Sequence, residues 1–203
     1  MRGFAYVIPR DYGFAPNPFG MYCTLATCKQ DVRARAVVGD WVVGCGSARF
    51  QLQGHVVFAM RVCEKLTFDQ YWNDPRFHDK KPIMSGSLKR MYGDNIYHHI
   101  GGGWRQEDSH HSMPDGIVNT KNLNRDTSSD SVLLASEFYY FGRSAIIIED
   151  NNLARAVTWN GRGYKNINAE PLNDFVSILR NTFDVGLIDI PILFDRFERY
   201  DGN

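Results

Sequence analysis

The sequence predicts an α+β fold, mainly β, in which short strands close into a small β-barrel with peripheral short helices and one long polar insert. Three observations lead there. Short apolar runs bounded by Gly, Pro, Asn or Asp turn signals outnumber amphipathic helical stretches. The helical stretches that do occur are brief. Composition also breaks once: between residues 78 and 130 only 13 of 53 residues are apolar, against 43% for the whole chain of 203. Closure is expected because a barrel removes the exposed edges that short strands otherwise present. No repeat or low-complexity linker divides the chain, so residues 1–203 are expected to form one domain.

The elements follow in order. Residues 4–8 and 22–27 read as strands around a turn-rich 9–20, and 29–36 as one or two helical turns. Gly39-Asp40 is a turn signal leading into a strand at 41–44. The clearest strand is 54–63: Val56, Phe58, Met60 and Val62 share one face, with His55, Ala59 and Arg61 on the other. Thr67 caps a short helix over 68–73, closed by Asp74-Pro75. Residues 132–141 and 144–148 read as consecutive strands turning at Gly142. After Pro171, a helix over 172–180 places Leu172, Phe175, Val176 and Leu179 on one stripe. The apolar tail 186–194, broken by Pro191, is expected to dock on the body.

Charge and cysteine usage narrow the class. Lys+Arg and Asp+Glu stand at 23 each, a net charge of zero. That balance argues against a general grip on duplex DNA, which needs a basic face. No window approaches the roughly 18 apolar residues of a membrane span. Residues 1–20 do not read as a signal peptide, since the apolar stretch ends at Pro9-Arg10-Asp11. Cys23, Cys28, Cys45 and Cys63 form no C-x-x-C pair, so they are expected to be free buried thiols. The expectation is a soluble protein of the bacterial cytosol with no metal, no cofactor and no membrane partner.

Three runs carry a resemblance. Residues 6–20 (Tyr6 to Gly20), Tyr22-Cys23-Thr24-Leu25-Ala26-Thr27-Cys28-Lys29, and Val38 through Ser47 resemble the second type of nucleotide-modification-associated domain, a bacterial and phage family; Phe138-Tyr139-Tyr140-Phe141-Gly142 also fits. The resemblance implies a place in DNA base modification and phage–host conflict. More broadly, the Gly39-Asp40 turn, the strand with Trp41 and the small residues 44–47 are similar to the PUA-like group, including EVE and YTH domains. That likeness implies a PUA-like barrel holding a modified base in an aromatic pocket. The Gly-x-Lys-x-x-Glu-x-Arg run of the related ASCH pattern is absent.

The candidate ligand contacts are Trp41, Ser47, Tyr97, His98, Trp104, Arg105, His111 and Asn119. Aromatic rings stack an extruded base, and the polar groups read its edges. Trp104, set between Gly101-Gly102-Gly103 and Arg105, has few apolar neighbours in sequence. The leading expectation is a module that binds a nucleotide or modified nucleobase, a homo-oligomer being compatible with it. The alternative is an enzyme that modifies or hydrolyses nucleotides, with His98 or His111 as acid–base and Asp108 as orienter. The low apolar content of the insert predicts near-ordinary titration of these groups, which favours binding.

Overall fold

The computed structural model describes residues 1–202. In chain order the elements are β1 (Gly3–Val7), β2 (Cys23–Leu25), α1 (Gln30–Arg35), β3 (Trp41–Cys45), β4 (Val56–Arg61) and β5 (Glu64–Leu66). Next come α2 (Phe68–Asn73), α3 (Leu88–Met91), β6 (Tyr97–Ile100), β7 (Gly103–Gln106) and α4 (Thr120–Thr127). The last third contributes β8 (Val132–Ala135), β9 (Glu137–Tyr140), α5 (Asn151–Val157), β10 (Tyr164–Ile167), α6 (Ala169–Thr182) and β11 (Gly186–Leu187).

The strands form open sheets. One has the order β10-β1-β3-β4-β9-β11, a second β2-β8-β5, and β6 pairs with β7 as a hairpin. The mixed α/β content matches expectation; closure into a barrel does not occur among the described residues. The reason lies in the pairing. β1 runs parallel to β3 while β10 occupies its other side, and the chain changes sheets between β8 and β9 instead of continuing as one strand.

Alternation along the strands then builds layers. On one face of the large sheet Ala5, Trp41, Val43, Ala59 and Tyr139 pack against the α5–α6 pair. On the other, Tyr6, Val42, Phe58, Met60 and Tyr140 meet Cys23, Leu25, Leu133 and Ala135 of the small sheet. Val132 and Leu134 point the opposite way, into a third, aromatic cluster with Phe14, Tyr71, Phe77, Tyr92 and Tyr97. The polar insert is therefore a folded layer over the small sheet, stitched together by aromatic rings.

Local signals held where they were strong. Phe58, Met60 and Val62 share the face toward the small sheet as expected, but a bulge in the β3–β4 pairing at Gly44/Cys45 turns Val56 to the other face, in the cluster with Ala59. Thr67 and Gln70 form a reciprocal capping box on α2. The stripe Leu172, Phe175, Val176 and Leu179 is the buried face of α6, and Pro171 falls in its first turn, where a missing N–H costs no bond. The strand expected at 144–148 is instead a single bridge between Val56 and Ile146. The tail crosses close by: a Cβ at Gly142, φ +51, would lie 2.1 Å from the Ile190 carbonyl oxygen. No helix is long and apolar enough to cross a membrane among the described residues.

Candidate functional site

A cavity of about 340 Å³ opens where the end of β1, the β2–α1 turn, the insert and the C-terminal tail meet. Cys28 stands at its wall. It occupies the sharp turn between β2 and α1, and both Cys28 (φ 55) and Lys29 (φ 42) are left-handed. Such a conformation costs roughly 1–3 kcal/mol per non-glycine residue and persists only where surrounding contacts impose it. A strained strand-to-helix turn is also how α/β-hydrolases present a nucleophile.

The contacts that impose it come from Asp126 on α4 and Arg33 on α1. The Cys28 backbone N–H donates to Asp126 Oδ1 at 3.0 Å. Arg33, fully buried, donates to the Cys28 carbonyl at 2.8 Å and to the carbonyls of Asp126, Ser129 and Ser131. Cys28 is thus held through both its backbone N–H and its backbone carbonyl.

Asp126 Oδ2 accepts from His111 Nδ1 at 2.7 Å and from the Tyr97 hydroxyl at 3.0 Å. The other ring nitrogen, Nε2, lies 3.8 Å from Cys28 Sγ. Thiol, imidazole and carboxylate stand in series, the thiol facing one ring nitrogen and the carboxylate the other. This is the arrangement nucleophilic catalysis needs: a nucleophile, a base within reach, and a group that fixes the base's tautomer.

Burial opposes charge on His111, but Asp126 and Cys28 outweigh it and push the ring up to about 9. Burial also raises Asp126, yet His111, Arg125 and Arg33 bring it down to about 2. Adjacent His110 goes the other way, because burial and the neighbouring His111 take it down to about 3. Its Nδ1 faces the Glu198 carbonyl at 2.5 Å and so is the donor, which leaves Nε2 as an acceptor. The near-ordinary titration expected of the insert therefore does not hold at His111, nor at His110 and Asp126 beside it. The part of the insert that carries these three groups is buried between the small sheet and the tail, and His111 and Asp126 are paired at short range.

Phe14 and Tyr200 flank the His111 ring, with centroids 4.6 and 5.5 Å away. Arg10 and Arg125 lie over the Tyr200 ring. The tail is tied down by Tyr200 N–H to the His110 carbonyl, Asn122 to the Tyr200 carbonyl, and Asn119 to the Asp201 carbonyl. A second cavity, about 250 Å³, shares Arg10, Tyr12, His110 and Tyr200 with the first and adds Arg49 and Arg199 to its wall, beside Glu198 and Asp201.

Cys28, one His111 ring nitrogen and Asp126 offer donor atoms within 4.8 Å of one another. They suit a hydrogen-bonded series better than a cation. Nδ1 is already engaged with the carboxylate, so only Sγ and Nε2 face outward, two donors where zinc takes three or four protein ligands. Arg33 and Arg125 already answer the carboxylate charge.

Of the residues singled out from sequence, His111 lines the cavity. Tyr97 and Asn119 stand behind it, one bonded to Asp126 and the other capping α4. The structure does not bring the rest there. Trp41 is buried against Tyr139, and Ser47 is buried near the start of a 3-10 turn. His98 stacks on Trp72 at 3.9 Å and pairs with Glu107; Arg105 reaches the same carboxylate. Trp104 packs edge-on to Phe68 and over His99. Asp108, expected to orient a histidine, pairs with Arg199 at 2.7 Å, and the orienting carboxylate is Asp126.

Cys28 and Asp126 are the residues sequence reasoning missed. Cys28 is half-buried at the cavity, not a core thiol. Asp126 sits on α4, residues 120–127, which the Asn119 side chain caps by accepting from the Asn122 N–H. That cap was the available signal.

The family model described as nucleotide modification associated domain 2 matches residues 1–198. No curated protein and no solved structure matches the chain.

Proposed function

The chain belongs to the nucleotide modification associated domain 2 family, and from that premise we propose that it is a thiol-dependent enzyme acting on a nucleotide. Cys28 is the nucleophile, His111 holds and returns its proton through Nε2, and Asp126 orients the ring through Nδ1. The observation that carries this reading is the Cys28–His111–Asp126 series, set on a strained turn at the wall of an aromatic cavity. Sγ forms a bond to an electrophilic carbon of the ligand, and the bond to the leaving group breaks as that group takes the proton from Nε2. A second acceptor then releases the covalent intermediate in the same way.

Binding of the nucleotide is part of the proposal. Tyr12, Phe14, Tyr164 and Tyr200 supply rings along the cavity, and Arg10, Arg49 and Arg199 at the adjoining chamber suit a phosphate. A binding module without turnover is the second reading, favoured by the 3.8 Å between Sγ and Nε2, longer than a tight contact. Apo sites often tighten only with substrate in place.

Iodoacetamide labelling followed by peptide mass spectrometry separates the two. The enzyme reading expects Cys28 to alkylate roughly tenfold faster than exposed Cys63, and to slow to the Cys63 rate in His111→Asn. A Cys28 rate at or below that of Cys63, unchanged by His111→Asn, would leave the binding module.

A further inference from the structure

A thiol that attacks a carbon needs somewhere to put the displaced electron pair. Where the electrophile is a carbonyl, that pair lands on oxygen and must meet preorganised donors. The nucleophile's own backbone N–H is a common donor, but in this fold it is spent on Asp126 Oδ1 at 3.0 Å. The donors must come from elsewhere along the cavity.

One side chain stands out. Tyr6, on β1, lines the cavity and is fully buried, yet its hydroxyl has no hydrogen-bond partner among the described residues. A buried hydroxyl left unmade is costly, so a native chain that keeps one has a use for it. Directly over its ring sits the Lys29 ammonium, 4.4 Å from the centroid. Lys29 follows Cys28 in sequence, and its left-handed backbone turns the side chain back over β1, where Nζ also donates to the Val7 carbonyl at 3.1 Å. An ammonium has three protons to give, so two remain.

We propose that Tyr6 and Lys29 form the oxyanion-binding element of this site, and that the ligand presents a carbonyl carbon to Cys28; the inference rests on the thiol reading above. Sγ attacks that carbon with its proton held on His111 Nε2. The C=O π pair moves to oxygen, which takes the Tyr6 O–H bond and the Lys29 charge. Collapse re-forms C=O and expels the leaving group with the Nε2 proton, leaving a thioester that water or an amine cleaves by the same route. The substrate class is thereby an acyl or amide group carried on a nucleotide. Tyr6 suits the role because burial, and the nearness of Cys28, hold its hydroxyl protonated far above neutral pH.

Two reagents on the full-length protein test this. p-Nitrophenyl acetate acylates a thiol through a tetrahedral oxyanion, whereas iodoacetamide alkylates it by direct displacement with none. Tyr6→Phe and Lys29→Met should each slow acylation of Cys28 roughly tenfold or more while leaving alkylation within about twofold of wild type. Thermal melting supplies a second readout: Tyr6→Phe should melt no lower than wild type, since it removes an unpartnered hydroxyl. Acylation of Tyr6→Phe at the wild-type rate, or a clear drop in its melting temperature, overturns the proposal. If wild-type Cys28 reacts with neither reagent faster than Cys63, the thiol reading itself fails and takes this inference with it.

Discussion

One carboxylate of Asp126 fixes both Cys28 and the ring that serves it. Oδ1 takes the Cys28 backbone N–H at 3.0 Å, and Oδ2 takes His111 Nδ1 at 2.7 Å. Nucleophile and base therefore share a single reference point on α4, although they are 83 positions apart in the chain. Around it, Arg33 and Arg125 supply the compensating charge that a fully buried carboxylate requires.

Asp126→Asn should accordingly fail twice. It leaves His111 without its anion and places an amide N–H where two donors already converge. Urea denaturation should show a loss of about 3–5 kcal/mol, the range for breaking a buried ion pair, and iodoacetamide labelling of Cys28 should slow alongside His111→Asn. A variant that unfolds at the wild-type midpoint would show that the carboxylate is not the hub described.

What could be read from sequence divides by range. The β4 alternation from Phe58 to Val62, the Thr67 cap of α2 and the α6 stripe are decided by near neighbours in sequence, and each was legible; the bulge that turns Val56 away depends on its pairing with β3 and was not. The site is assembled across the chain: Cys28 and His111 are 83 positions apart, and neither C-x-x-C spacing nor composition records that contact. Barrel closure failed for the same reason, since whether β8 runs on into β9 or changes sheets depends on partners dozens of residues away. The family resemblance did reach the site, because the run Tyr22 to Lys29 contains Cys28. The polar insert misled about electrostatics only around His110, His111 and Asp126, where aromatic rings and the returning tail bury a segment of low apolar content.

Arg33→Leu tests the clamp beneath the strained turn. Arg33 is fully buried and donates to four backbone carbonyls, those of Cys28, Asp126, Ser129 and Ser131. An apolar replacement strands those acceptors, and a lysine cannot span them with one ammonium. Both Arg33→Leu and Arg33→Lys should lose about 2–5 kcal/mol in chemical denaturation. Full rescue by lysine would mean that charge alone, and not the planar fork, holds the turn.

His110 carries a pH signature of definite sign. Folded, its ring is held down to about 3, against an ordinary 6.5. Between those values the unfolded chain binds a proton that the folded one refuses, so this contribution is present above 6.5 and is lost as pH falls toward 3. The slope is at most about 1.4 kcal/mol per pH unit. Asp94 works against it: burial raises its carboxyl to about 6, which makes stability fall as pH rises from 3.8 to 6. The difference between wild type and His110→Asn isolates the histidine. As pH is lowered from about 7 to 4.5, the variant should gain on wild type in urea midpoint; parallel curves would contradict the buried neutral ring.

The arginine-lined chamber makes a prediction about ligand chemistry. Arg49 lines the second cavity and not the first, and it makes no bond to Cys28, His111 or Asp126, so its removal leaves the thiol series intact. If that chamber takes the phosphate, a nucleoside 5′-monophosphate should protect Cys28 from iodoacetamide at lower concentration than the matching nucleoside. Arg49→Gln should erase several-fold of that advantage, about 1 kcal/mol for one exposed charged contact, and leave nucleoside protection unchanged. The two carboxylates at the chamber wall sharpen the comparison. Glu198 is engaged by the Tyr12 hydroxyl and by Arg196 at 2.8 Å, and Arg199 is partly answered by Asp108, so Arg49 is the charge whose removal tests whether an anion is welcome. Equal protection by nucleoside and monophosphate in the wild type would place the phosphate outside this chamber.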